Sequence, residues 1–200
     1  MLKIVKPDEF KIHSFLASID SPDSHTIPIF DKILRGVETL IVTQAEQVLR
    51  DAPPRLFKTT RYPLARQFLE GVSFMHKHRV AHLDLKPDNI VITATGRLLI
   101  IDYSVSVQVS GPESWIKGYR GTEGWVAPEI EESPDREYQP IRADLWSAGQ
   151  VLEYFADRQG AHTSSPIRSL AVRLLSRNPQ ERPSLSTILD DPMFELKKKR

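Results

Sequence analysis

The chain has 200 residues, with 27 Lys and Arg against 26 Asp and Glu, a formal net charge of +1, 40% hydrophobic and 26% charged residues. That mix suits one sizeable folded core; it excludes disorder by composition and a protein that grips nucleic acid mainly through phosphate contacts. Without cysteine there is no disulfide framework, thiolate zinc site or cysteine nucleophile, which fits a reducing compartment.

The start, Met1 to Lys6, is too short and too soon charged for a secretory signal, and no apolar run reaches membrane-spanning length. The basic run Lys197 to Arg200 reads as a short solvated tail in preference to a nuclear address. The expectation is a cytoplasmic, or alternatively nuclear, monomer without nucleic-acid or membrane partners. No internal repeat or long linker divides the chain.

In chain order, the pattern predicts a short strand, a helix around Glu9 to Leu16, and strands at 27–30 and 39–42 joined by a turn containing Gly36. Leu64, Phe68, Val72 and Met75 recur at helical spacing, predicting an amphipathic helix from near Pro63 to His78. The runs 90–92 and 98–101 flank a polar turn with a glycine, the pattern of a hairpin. A mostly apolar stretch from Ile141 to Phe155 predicts a core helix. Ser165-Pro166 and Ser184 read as capped helix starts, and Asp191-Pro192 as a stop.

Between these elements lies the chemistry. His82-Leu83-Asp84-Leu85-Lys86-Pro87-Asp88-Asn89 sits between two strand-like stretches, and Asp102-Tyr103-Ser104 follows the second strand of the hairpin. Gly121 to Glu129 reads Gly-Thr-Glu-Gly-Trp-Val-Ala-Pro-Glu, Asp144 opens Asp-Leu-Trp-Ser-Ala-Gly, and Arg182 precedes Pro183. Singly, Asp102 would be an aspartate opening a turn, Asp144 a helix cap and Arg182 a surface charge. Together, in this order and spacing, they resemble the eukaryotic-type protein kinase superfamily, of the serine/threonine kind.

The resemblance implies an α+β, two-lobed kinase fold: a reduced β-rich small lobe over 1–43, a mainly helical large lobe over 44–196, and the tail 197–200. It implies ATP and Mg²⁺ as cosubstrate and metal, and a protein hydroxyl as acceptor. Asp84 takes the place of the catalytic base, with Asn89 and Asp102 as metal ligands. Lys86 would neutralise the transferred phosphoryl, and Thr122 would bridge Asp84 and Lys86. Lys3 takes the place of the lysine on the α/β-phosphates, paired with Glu9. Val42-Thr43-Gln44-Ala45-Glu46 resembles the hinge that receives adenine through its backbone, with Thr43 at the gatekeeper position and Val91 on the opposite wall. Asp144 resembles the anchor of the catalytic-loop backbone, and Arg182 the partner of Glu129.

Four departures stand out. No Gly-rich phosphate loop precedes Lys3, Leu83 replaces the arginine that usually precedes the base, and Ser104 replaces a glycine. The polar stretch between Phe155 and Pro166 is too short for the helix that kinases usually carry there. The alternative function is therefore a pseudokinase that binds a protein partner without turnover; a small-molecule kinase is disfavoured by the segment 121–129.

Overall fold

Strand alternation and a two-residue turn build the first sheet. The computed structural model describes residues 1–133, 135–158 and 165–195. β1 (Leu2–Val5), β2 (Ile29–Arg35) and β3 (Glu38–Thr43) form an antiparallel sheet in the order β1-β3-β2. Arg35 faces Glu38 across the turn, where Gly36 adopts φ +61°, a conformation glycine takes without strain. α1 (Pro7–Ala17) follows β1 and buries Glu9, Ile12, His13 and Leu16.

The strand expected at 27–30 begins later, at Ile29, and runs longer. Pro28 has no N–H to give a ladder, so the chain before it takes another course. Ile27 N–H donates to the Ile100 carbonyl at 3.2 Å, Ile100 N–H to the His25 carbonyl at 2.6 Å, and Thr26 faces Ile100 in a parallel bridge. Residues 25–27 thus stitch the small lobe to the large one.

The helix expected from near Pro63 starts earlier, as α2 (Pro54–Lys77), with Pro63 inside it. The proline forfeits one helical hydrogen bond, but Phe57 extends the buried stripe of Leu64, Phe68, Val72 and Met75 toward the N-terminus. Each such side chain contributes about 1.5–3 kcal/mol on burial, enough to carry the helix through the proline. β4 (Gln47–Val48), β6 (Ile90–Ile92) and β7 (Leu98–Ile100) make a second antiparallel sheet, with the β6–β7 hairpin where the pattern put it. β5 (Val80–Ala81) pairs with β8 (Val107–Gln108). β9 (Ile116–Lys117) pairs with β10 (Glu137–Tyr138), and α3 (Pro128–Glu131) lies between them in sequence.

α4 (Pro140–Asp157) is buried along much of its length and packs against α2 and α5 (Pro166–Leu174). Ser184 caps α6 (Leu185–Leu189) by accepting from the Thr187 N–H, and α7 (Pro192–Glu195) follows the stop at Asp191. Ser165 stands at the start of α5 but makes no capping bond, and its buried hydroxyl lacks a partner. Pro166 sets that helix start through its fixed φ instead. The reduced stretch between α4 and α5 falls mainly at 159–164, and the basic tail at 197–200; both lie outside the described residues. No described helix is long and apolar enough to cross a membrane. The fold is the expected α+β one, a small sheet with one helix above a mainly helical lobe.

Candidate active site

The loop from His82 to Asn89 is held from below. Asp144, fully buried on α4, accepts the His82 N–H and the Leu83 N–H at 2.7 Å each, and its Oδ2 also meets His76 Nε2 at 3.0 Å. Leu83 adopts φ +64° in doing so and turns its side chain into an apolar cluster with Ala81, Val126 and Ile130. The backbone reversal aims Asp84 the other way. His82 Nδ1 accepts from the Asp84 N–H at 3.2 Å, which leaves Nε2–H to donate to the Ile101 carbonyl at 3.1 Å.

The Asp84 carboxylate is fixed on both oxygens. The Thr122 hydroxyl donates to Oδ1 at 2.7 Å, Asn89 Nδ2 donates to Oδ2 at 2.7 Å, and Lys86 Nζ lies 2.8 Å from Oδ2. Lys86 also donates to the Thr122 hydroxyl oxygen at 2.5 Å, closing a three-membered circuit. Thr122 can come this close because Gly121 precedes it. A Cβ on Gly121 would sit 2.4 Å from the Leu83 carbonyl oxygen, and its φ of +108° favours glycine.

Across the cleft, Lys3 Nζ donates to Glu9 Oε1 at 2.5 Å and to Asp102 Oδ1 at 2.9 Å. Burial alone would lower the Lys3 pKa, but the hydrogen bonds from its ammonium to Glu9 and Asp102 outweigh it and hold it above the usual value. Burial likewise would raise the Asp102 pKa, and the bonds from Lys3 and Ser104 bring it below the usual carboxylate range. Both groups are therefore charged at neutral pH. A cavity of about 310 Å³ opens beside them, with Lys3, Thr43, Asn89 and Asp102 in its walls.

Asn89 spends its amide N–H groups on the Asp84 side chain and the Asp84 carbonyl, so its oxygen stays available. That oxygen and the Asp102 carboxylate are hard donors of the kind Mg²⁺ prefers. Among the described residues no group of three or more His, Cys, Asp or Glu could hold a metal. The donor set fits an ion that shares its coordination with phosphates and water.

Thr43 ends β3, is buried, and carries a hydroxyl with no partner beside the cavity. Gln44, Ala45 and Glu46 follow it without strand structure, and Glu46 buries one carboxylate oxygen without a partner. None of the three lines the cavity, nor does Val91. Val91 sits a layer deeper, opposite Val48 in the β4–β6 ladder and packed with Ile27 and Leu99.

Sequence reasoning passed over several supporting residues. His76 contacts the loop anchor Asp144, and His13 gives Nε2 to the Ile27 carbonyl at 2.7 Å. Tyr103 lies between the His13 and His82 rings, with centroids 4.9 and 5.3 Å away. His13 was detectable in principle, since it stands one helical turn after Glu9 on the same face.

A protein-family model described as protein kinase domain matches residues 43–159. The human Nik-related protein kinase is 37% identical over 120 residues, covering 58% of this chain and 8% of that protein. The probable serine/threonine-protein kinase KKQ8 of Candida glabrata is 42% identical over 92 residues, or 43% of this chain and 12% of its own length. The serine/threonine-protein kinase cds1 of Schizosaccharomyces pombe is 32% identical over 162 residues, 66% of this chain and 35% of that protein. The chain thus spans a minor part of each of these relatives. With the family model covering more than half of it, and the loop, anchor and ion pairs in place, the chain belongs to the protein kinase family.

Proposed function

We propose that this chain transfers the γ-phosphoryl of ATP to a serine or threonine hydroxyl of a protein. The observation that carries the proposal is the Asp84 carboxylate, held by Thr122, Asn89 and Lys86 at 2.7–2.8 Å. A carboxylate so fixed can accept the proton of a hydroxyl placed in line with the phosphoryl group, and phosphoryl transfer depends mainly on such positioning. Lys86, already beside the base, offsets negative charge on the transferred group. Lys3 has three N–H donors and uses two on Glu9 and Asp102, leaving one for the α/β-phosphates. Asn89 and Asp102 would hold Mg²⁺, which neutralises charge between the phosphates. The hinge 43–46 would receive adenine through its backbone.

A second reading keeps the fold and loses turnover, with the chain acting as a protein-binding module. It is favoured by Leu83 and Ser104, which stand where the family's pattern has an arginine and a glycine. ATP turnover in the parent, Asp84→Asn and Asp102→Asn decides between the two. The proposal expects each variant to stay folded and to lose roughly 10²-fold or more in rate. Turnover unchanged by Asp84→Asn, or absent from the parent, would overturn it, and phosphoamino-acid analysis of a protein acceptor tests the serine/threonine assignment.

A further inference from the structure

β2 is an edge strand that keeps apolar side chains in water. One of its edges pairs with β3, and among the described residues no strand pairs with the other. Phe30 is 62% exposed, Ile33 44% and Leu34 69%, and Val37 in the turn that follows is fully exposed. An open apolar edge of this kind is a template for a further strand. The two-residue turn makes Arg35 and Glu38 the closing hydrogen-bonded pair, so Asp31, Ile33 and Arg35 spend their backbone groups on β3. Lys32 and Leu34 alternate with them and aim N–H and C=O at the open edge. The Lys32 N–H accordingly finds the Asp31 carboxylate, at 2.7 Å.

The order of charges along β2 points to the strand that fits there. Asp31, Ile33 and Arg35 share one face of the sheet, where Leu40 stands beside Ile33 and Ile4 beyond it. Let a second β2 lie antiparallel to the first about a two-fold axis at Ile33. Ile33 then meets Ile33 of the second copy, and each Asp31 meets an Arg35, an isologous match of opposite charges. Lys32 and Leu34 come opposite each other with open backbone groups on both strands, and each such pair exchanges two N–H···O bonds without disturbing β3. On the other face Lys32 lies over the Phe10 ring at 4.1 Å, and its apolar stem would run beside Leu34 of the second copy. An axis at Lys32 or at Leu34 forfeits both ion pairs, and the first of these sets two lysines against each other.

We propose that the open edge of β2 is an interface for a second copy of this chain, joining two three-stranded sheets into one through the register centred on Ile33. The chain would then self-associate, in place of the monomer expected from the sequence. β2 supplies none of the walls of the cavity beside Lys3 and Asp102, so pairing leaves that cavity open and does not depend on whether the chain turns over ATP. One strand laid on another is a narrow contact, smaller than that of a permanent dimer. The association should be reversible, with a Kd on the order of 1–100 µM.

Sedimentation velocity of the chain from about 1 to 200 µM reads the balance of monomer and dimer, and the parent should pass from one to the other across that range. Leu34→Pro removes an N–H that points to the open edge and keeps the ladder with β3, so it should weaken dimerisation roughly tenfold or more. Ile33→Lys sets like charges on the axis and should do the same. Thermal melts of both variants check that each stays folded. The deciding pair is Asp31→Arg and Arg35→Asp. Either one alone places like charges opposite each other and should weaken association roughly tenfold, whereas an equimolar mixture restores both ion pairs in a heterodimer and should associate as the parent does. That recovery would also show both variants to be folded. A parent that stays monomeric up to about 200 µM, a Leu34→Pro variant that dimerises like the parent, or a mixture that associates no better than its components overturns the proposal.

Discussion

Arg182 and Glu129, 53 residues apart, meet through two parallel bonds of 2.7 Å each. The guanidinium is fully buried; it also donates to the Ser176 and Arg142 carbonyls and lies 5.3 Å from the Trp146 ring centre. Glu129 belongs to α3, directly after the segment that carries Thr122, so the pair ties that segment to the helical lobe. Removing one partner of a buried pair leaves the other charge uncompensated, at a cost of about 3–5 kcal/mol. Arg182→Ala should therefore melt roughly 10 °C below the parent, and Arg182→Lys should fall between them because it keeps the charge but not the fork. A thermal melt of the three proteins checks this; Arg182→Ala melting with the parent would show that the pair is structurally idle.

Gly121→Ala should disturb the catalytic loop without touching a charged group. Its methyl would have to occupy space 2.4 Å from the Leu83 carbonyl and 2.6 Å from a Val126 methyl, at a backbone angle that alanine avoids. Strain of this kind costs about 1–3 kcal/mol, or is relieved by moving Thr122 away from Asp84. The expected result is a fall of roughly tenfold or more in kcat for phosphoryl transfer, with the KM for ATP little changed because Lys3 and the hinge lie elsewhere. Steady-state kinetics reads the split. A raised KM at constant kcat would contradict it.

Much of this arrangement was legible in the sequence. The long apolar periodicity after Leu64 placed the central helix, and the run from His82 to Asn89 placed Asp84, Lys86 and Asn89 as they stand. What stayed hidden has a common physical cause. The early start of α2 depends on Phe57 finding Phe155 and Tyr154 across the core, which local propensity cannot report. Residues 25–27 pair with β7, more than 70 positions away, and nothing in Ser24-His25-Thr26 announces a partner so distant. Val91 matched the expected position in the chain yet lies a layer below the cavity, because register along β6 fixes its facing and a motif does not.

Acidification should loosen this fold through two buried histidines. Burial pushes the His82 pKa down despite the opposing pull of Asp144 and the Ile101 carbonyl. Burial does the same to His13, against its bond to Ile27 and with added repulsion from Lys3. In the unfolded chain both take up a proton near pH 6.5, so below that value the unfolded state binds protons that the folded state refuses. Their stabilising contribution is complete above about 6.5 and is lost as pH falls from there toward the depressed folded values, by up to about 1.4 kcal/mol per pH unit for each histidine. The melting temperature should accordingly drop between pH 6.5 and 5, and His13→Leu should lessen the slope. An equal slope in the variant would show that His13 is not one of the groups responsible.

Phosphorylation at Ser106, Ser110 or Ser114, in the segment between Asp102 and Thr122, should leave turnover unchanged, and the reason lies at position 83. A phosphate orders such a segment when a guanidinium beside the base catches it with charge-assisted hydrogen bonds. Leu83 cannot donate, and it is committed to the apolar cluster with Val126 and Ile130. Ser106 is buried and donates its hydroxyl to the His82 carbonyl at 3.1 Å, so a kinase could not reach it without opening the loop. Ser110 and Ser114 share a 2.9 Å hydrogen bond. Arg79 is exposed and already donates to the Ser110 carbonyl at 2.9 Å. Arg120 donates to the Val105 carbonyl at 3.2 Å and lines a different cavity, with Lys6 and Lys11. A phosphate on Ser110 or Ser114 would thus meet at most an exposed arginine, a pairing worth about 0–1 kcal/mol and screened by salt. Turnover of untreated protein, phosphatase-treated protein and the Ser110→Ala, Ser114→Ala double variant should agree within about twofold. A large loss in both the treated protein and the variant would mean that Arg79 or Arg120 has taken over the capture that Leu83 cannot perform.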